Sequence, residues 1–233
     1  MMATAIIPAR GGSSRLPGKN LLPLSGRPLL CWSIDTAHDA ATIQRVVVTT
    51  DDEEIAEVAL HADVSVIMRP PELAEPEARS MEAVLHAAEE MGLSDDNVIA
   101  VLRPTSPLRS VEDVDRCVAP VLSEESPFNS AMAVCWARSH PYAMMEPGDE
   151  GLRPLFGMEG AEIAFGRRQG LLSALAPNGA VYVARLGHLV SYRSYWVPPC
   201  YGHEMPQERS IDINTELDLR LAQLVMDQRL AAV

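Results

Sequence analysis

Along the first half of the chain, short apolar runs alternate with longer stretches whose apolar residues recur at helical spacing. Ala5, Ile6 and Ile7 form the first run and read as a buried strand. Pro28 to Ala41 reads as a helix, with Leu29, Leu30, Ile34 and Ala37 on one face and Pro28 where the first turn tolerates it. Arg45 to Thr50 reads as a strand whose β-branched residues, Val46 to Thr50, suit the middle of a parallel sheet. Asp51 and Asp52 then open a helix to about His61, their charges complementing its dipole. Val64 to Met68, Asn97 to Leu102 and Ser130 to Trp136 are further strands. Met81 to Met91 and Val111 to Leu122 are helices between them, the second capped by Ser110. That order predicts right-handed crossovers, a parallel sheet and an α/β fold. Ligands on such sheets gather at the carboxyl ends of the strands.

The pattern fails from about Ala137 to Pro177, where Pro, Gly and Met are scattered without a sustained period. A stretch of that length in a compact domain is expected to be a lid, an arm or a subunit contact. Near the end, Thr215-x-x-Asp218 approximates a capping box, and Leu217, Leu221, Leu224 and Val225 predict the apolar stripe of a terminal helix. Residues 1–233 suit one domain, with about 137–177 as an inserted excursion.

A net charge of −13 argues against nucleic acid and anionic membrane surfaces as partners. An anionic ligand then needs a place where cations gather. The four cysteines (Cys31, Cys117, Cys135, Cys200) are too dispersed for a zinc site or a disulfide framework. With no leader pattern and no apolar run of membrane length, a reducing cytoplasm is expected.

Cations do gather after the first strand. Arg10-Gly-Gly-Ser-Ser-Arg-Leu-Pro-Gly-Lys-Asn20 holds three glycines, two serines and three cations in eleven residues. Glycines at a strand end let backbone N–H groups wrap an anion, and Arg10, Arg15 and Lys19 add positive charge. A polyphosphate is the simplest ligand needing both. It is no P-loop: five residues separate Gly12 from Gly18, and Asn20 follows Lys19 where Ser or Thr would hold magnesium. The Gly-x-Gly-x-x-Gly fingerprint is also absent.

The order Ile-Ile-Pro-Ala-Arg-Gly-Gly-Ser, then Leu-Pro-Gly-Lys-Asn, resembles the signature loop of the CMP-acylneuraminate (CMP-sialic acid) synthetase family. The resemblance covers nearly the whole chain. It implies a Rossmann-like three-layer sandwich with a mostly parallel sheet, of the nucleotide-diphospho-sugar transferase type, whose excursion pairs two subunits and covers the acceptor. It implies a homodimer that transfers CMP from CTP to a 2-keto acid sugar and releases pyrophosphate. Arg10 and Lys19 would hold the triphosphate as the catalytic cations, with Ala9, Ser13 and Asn20 also at the nucleotide.

Later segments extend the likeness. Arg69-Pro-Pro-Glu-Leu-Ala resembles a family stretch that contacts cytosine, so Arg69 and Ser80 would read the base. Taken by themselves, Arg69 is equally a structural anchor and Ser80 equally the N-cap of its helix. Arg103-Pro-Thr-Ser-Pro-Leu-Arg109 resembles a family segment with Gln at its first position, where the side chain faces the acceptor. A guanidinium there adds charge and a fork suited to carboxylate, phosphate or phosphonate. It otherwise points to solvent or pairs with an acid. Arg168 and Gln169 align with an Arg-Gln that reaches the acceptor's carboxylate, while Ala143 and Ala176 stand where two basic contacts occur in sialate enzymes. Asn178 to Val183 resembles the family's Asn-Gly-Ala-Ile-Tyr-Ile strand entry.

Ser210-Ile-Asp-Ile-Asn-Thr-Glu-Leu-Asp-Leu219 resembles the segment whose two aspartates hold catalytic Mg2+ in the family. In this chain Asp212 and Asn214 would do so, the amide bringing no charge; Asn214 otherwise caps the helix. The mechanism implied is in-line attack of an acceptor oxygen on the α-phosphate. No side chain stands out as a general base, and His38, His61 and His86 fall in helices. Two alternatives stay open. One is a nucleotidyltransferase of this architecture using another anionic acceptor: another nonulosonic acid, an octulosonic acid or a phosphonate. The other is a non-catalytic nucleotide-binding protein.

Overall fold

The computed structural model describes residues 2–13, 15–75, 77–157, 161–162, 165 and 173–231. The apolar runs become β1 (Ala3–Pro8), β4 (Ile43–Thr50), β5 (Ser65–Met68), β6 (Val98–Leu102) and β7 (Ser130–Trp136). The amphipathic stretches become α1 (Leu29–Asp39), α2 (Glu53–His61), α3 (Ser80–Glu90) and α4 (Val111–Leu122). A short hairpin, β2 (Pro23–Leu24) and β3 (Arg27–Pro28), leads into α1, and a second, β8 (Met145–Gly148) and β9 (Gly151–Pro154), lies within the aperiodic excursion. The chain then returns through β10 (Leu175–Arg185), α5 (Leu186–Tyr192) and β11 (Cys200–Glu204) to α6 (Glu216–Ala231).

Seven strands form one sheet in the order β11-β7-β10-β6-β1-β4-β5. All neighbours are parallel except β10, which is antiparallel to both β6 and β7. Strand periodicity divides the core into two layers. Ala5, Ile7, Val48, Ala100 and Leu102 face α1, α2 and α4, whereas Ile6, Val47, Ile99 and Val101 face α3 and α5. The result is the expected three-layer α/β sandwich with a mostly parallel sheet. Because β10 runs backwards, its amino-terminal half arrives at the edge where β1, β4 and β6 end.

Two local expectations are corrected. Ser80 does not cap α3: the cap position is Arg79, and Ser80 already lies inside the first turn. The terminal helix also presents a different face to the core. Leu217, Leu221 and Leu224 are 65%, 38% and 62% exposed, while Ala222 and Met226 are buried against Leu24, Leu29, Leu108, Ile211 and Ile213. The cause is the helix's mounting. It touches the body along one narrow line, so small Ala222 meets the core and Val225 is only partly covered. The expected capping box is present: the Asp218 carboxylate accepts from the backbone N–H groups of Asn214 (3.0 Å) and Thr215 (2.8 Å), and Asp218 N–H donates to Thr215 Oγ1 (3.3 Å).

Candidate active site

The cleft lies at the carboxyl ends of β1, β4 and β6. Its first wall is the Gly-rich loop leaving β1, pinned at both ends. Ala9 N–H donates to Thr49 O (3.0 Å), and Gly11 N–H donates to the Asp51 carboxylate (3.2 Å). Gly11 has no room for a side chain, since a Cβ would stand 2.3 Å from Asp52 Oδ2. Asp52 is itself fixed, capping α2 through Glu54 N–H (2.9 Å) and Ile55 N–H (3.0 Å). At the far end Gly18, with φ of 62°, turns the chain into a short 3-10 turn that presents Lys19. Asn20 is buried and closes the loop by donating to Arg10 O (2.9 Å).

Arg10, Lys19, Arg69, Ser80, Arg103 and Asp212 face one another across this cleft, together with Asn20 and Asn214. Lys19 Nζ and Arg15 Nη2 each donate to Asn214 Oδ1 at 3.3 Å. Burial lowers the proton affinity of Lys19; nearby Asp212 opposes that shift, and Arg15, Arg10 and Arg103 reinforce it. The cations are held close without a matching number of acids. Asp212 is the one carboxylate lining the cleft among the described residues.

Asp212 is placed by a chain of buried polar contacts. Asp113, in the first turn of α4, closes a capping box with Ser110 and accepts from His203 Nε2 (2.9 Å) and Arg209 Nη2 (2.8 Å). Burial alone would raise the Asp113 pKa, but the hydrogen bonds from Arg209, Ser110 and His203 bring it to about 2. Asn178 donates to Ser210 Oγ (2.9 Å), and Ile213 N–H donates to Thr105 O (2.8 Å). These ties hold residues 205–213 over the sheet edge. Gly179 turns there with φ of 80°, between Arg103 and Asp212.

Arg69 is buried and bound to the backbone, donating to Thr49 O and to Leu73 O (3.5 Å), and burial lowers its proton affinity. Of its two readings, the anchor is the one with visible bonds, although Arg69 also lines the cleft. Ser80 Oγ sits 3.4 Å from Tyr195 Oη. The Tyr195 ring stacks on Tyr182 at 4.8 Å, and the Arg103 guanidinium lies over the Tyr182 ring, 5.3 Å from its centre. Arg103 and Asp212 are shared with a second hollow, which is also lined by Trp136, Arg138, Gly179 and Tyr182.

Ala9 is fully buried and packs into the core, and Ser13 is not among the described residues lining the cleft. Arg168 and Gln169 lie outside the described residues. Sequence reasoning gave no role to Arg109, which is 1% exposed and donates to Ser33 Oγ (2.8 Å) and to Arg103 O, fixing the backbone beneath Arg103. Burial brings the Arg109 pKa down to about 9. The Asp113–His203–Arg209 cluster was also not foreseen, because its members are 90 and 96 positions apart. No motif links them.

A metal ion fits one part of this arrangement. Asp212 Oδ1 is buried without a partner, as a hard-cation ligand would be before binding. Asp212 Oδ2 accepts from Asn214 Nδ2 (2.8 Å), so the two side chains are adjacent, but the Asn214 oxygen points at Lys19 and Arg15. Among the described residues no group of three or more His, Cys, Asp or Glu surrounds a common point. A cation held here would depend on Asp212 and on oxygens from a bound phosphate.

Comparison with known proteins follows the same lines. Residues 4–141 match the family model described as cytidylyltransferase. The chain is 30% identical over 220 residues to the N-acylneuraminate cytidylyltransferase of Streptococcus agalactiae serotype V, covering 94% of this chain and 52% of that protein. It thus spans about half the length of that relative. It is 28% identical over 238 residues to the CMP-N,N'-diacetyllegionaminic acid synthase of Legionella pneumophila, covering 97% of each. Among solved structures, that of CMP:2-keto-3-deoxy-manno-octonic acid synthetase complexed with CTP superposes with a TM-score of 0.74 at 18% identity, covering 98% of this chain and 100% of the other. At that identity the likeness is one of fold.

Proposed function

The chain belongs to the cytidylyltransferase family, whose model it matches over more than half its length, and from that premise we propose that it transfers CMP from CTP to an acidic acceptor of the sialic acid type. The observation that carries the reading is the opposition of Arg10 and Lys19 to Asp212, the single carboxylate lining the cleft at the sheet edge among the described residues, with Arg15 beside Lys19 on Asn214. The loop cations take the polyphosphate, and the leaving pyrophosphate develops its charge against Lys19 and Arg10. Such transfers ask the protein mainly for positioning and charge neutralisation. The acceptor occupies the hollow between Trp136 and Tyr182, so that its oxygen approaches the α-phosphate past Asp212. Mg2+ would be held by Asp212, and by Asn214 once its side-chain oxygen turns from Lys19 and Arg15, and would supply Lewis-acid neutralisation of the phosphates. A homodimer, with the excursion near 137–177 covering the acceptor, belongs to the same proposal, as does a cytoplasmic setting.

Melting temperature with ATP, GTP, CTP and UTP tests the donor. A ligand that binds only the folded state stabilises it by about 2.7 kcal/mol at a hundredfold excess over its dissociation constant. CTP alone of the four should raise the melting temperature clearly. A selective rise with another nucleotide would keep the fold and remove the cytidylyl reading. Asn214 is tested by Asn214→Asp, which restores a second carboxylate beside Asp212. The Mg2+ concentration giving half-maximal pyrophosphate release should fall by about tenfold, since each added charge on a hard-cation site deepens its attraction. Unchanged metal dependence would take Asn214 out of the metal site.

A further inference from the structure

The cations of the cleft are not all needed for one triphosphate. Arg10, Arg15 and Lys19 lie on the loop side, and Arg69 is committed to backbone carbonyls. Arg103 stands apart on the wall between the two hollows. Among the described residues its guanidinium makes no hydrogen bond or ion pair, and it lies over the ring of Tyr182, beside Gly179. Stacking on a ring holds a guanidinium by its flat face and leaves the N–H edge free to grip an anion in two places. The geometry is also stiff: Arg109 bonds to the carbonyl of Arg103 itself, and Tyr182 is backed by Tyr195.

The second hollow contains a further guanidinium. Arg138 lines it, with Nε 3.3 Å from Gln207 Oε1, and among the described residues the sole acid lining the same hollow is Asp212. Glu204, close by, is occupied by the Trp136 indole N–H (2.5 Å). Two guanidiniums against one carboxylate, in a protein whose net charge is −13, form a local reversal of sign. Asp212 Oδ2 is held by Asn214 on the nucleotide side of the wall, so within the hollow a singly charged acid satisfies one fork and leaves the other guanidinium without an anion, which is unfavourable once bound substrate excludes water.

Resting on the cytidylyl-transfer reading above, we propose that the acceptor is at least doubly anionic, and that Arg103 selects it by gripping a second anionic group, carboxylate, phosphoryl or phosphonyl, besides the one an ordinary acid sugar carries. Arg103 is then a specificity determinant that touches the substrate. Tyr182 and Arg109 are positioning residues that hold its edge toward the hollow.

The test is calorimetric binding to the chain saturated with CMP, using matched pairs that differ by one charge. Glycolate is compared with hydroxymethylphosphonate and with tartronate, and N-acetylneuraminate serves as the singly charged sugar. Hydroxymethylphosphonate or tartronate should bind at least about tenfold more tightly than glycolate and N-acetylneuraminate, as expected for an added charge-assisted hydrogen-bond pair. R103Q should erase that ratio. R103K, which keeps the charge but not the fork, should recover part of it. Equal or weaker binding of the doubly charged compounds, binding by none of the four, or a ratio unchanged in R103Q would overturn the proposal. Which doubly charged compound binds better separates a phosphonyl from a carboxylate requirement. A wild-type chain that shows no melting shift with CTP fails the underlying reading instead, and the two failures are read separately.

Discussion

Lys19→Ala should lower CTP turnover by about 10³-fold, the loss typical of removing one preorganised charge from a transition state that gathers negative charge. Lys19 is the cation best placed for this. The turn at Gly18 points it into the cleft, burial strips part of its hydration, and the nearest acid, Asp212, lies opposite rather than paired with it. Burial lowers its proton affinity, which narrows its charged range only at the alkaline end. Stability should change little, because Asn214 Oδ1 keeps its hydrogen bond from Arg15. Arg15→Ala is the control: its guanidinium is exposed, so water and salt screen it, and about tenfold is expected. Steady-state pyrophosphate release with melting curves on both variants checks this. A loss at Lys19 no larger than at Arg15 would make Lys19 a mere loop cation.

Asp113→Asn should destabilise the fold by about 3–5 kcal/mol, because removing one charge from a buried pair leaves the others uncompensated. Asp113 receives Arg209, His203 and the α4 cap at once, so no single neighbour can replace it. Its pH signature is specific. The folded-state value of about 2 lies below the ordinary 3.8. The stabilisation from this group is therefore complete above the ordinary value and is lost as pH falls through the folded one. A difference of nearly two units corresponds to about 2 kcal/mol of stability. Urea midpoints from neutral pH down to about 2 should show a steep acid limb in the wild type and a flatter one in Asp113→Asn. The variant should also lose turnover at temperatures where it remains folded, because residues 205–213 carry Asp212.

The parallel sheet was legible because each buried strand is a continuous apolar run and each helix repeats at its own period. The cation loop was legible because its residues are consecutive. What lay hidden was assembled from a distance. Ser80 looked like a cap because the residue type fits one, but helix α3 starts at it, and its hydroxyl is spent on Tyr195. Leu217, Leu221 and Leu224 repeat correctly for a helix, yet the mounting of α6 on Ile211 and Ile213 decides which side is covered. Arg109 reads as a surface cation in isolation. Its burial comes from α1, which supplies Ser33, and from the turn after β6, which supplies Arg103 O.

The reversed strand β10 and the segment behind it also fix when the site becomes complete. Arg15 and Lys19 are translated well before their partner Asn214, which follows 199 and 195 residues later. At about 5–20 residues per second, the ribosome needs roughly ten to forty seconds to supply it. Until then β1 can pair with β4 and β6, and the nascent loop is a cluster of cations with no carboxylate across from it. The finished site thus waits for a segment made long after the loop, and a chain stopped before Asp212 would keep the attraction for polyanions without the group set to manage it.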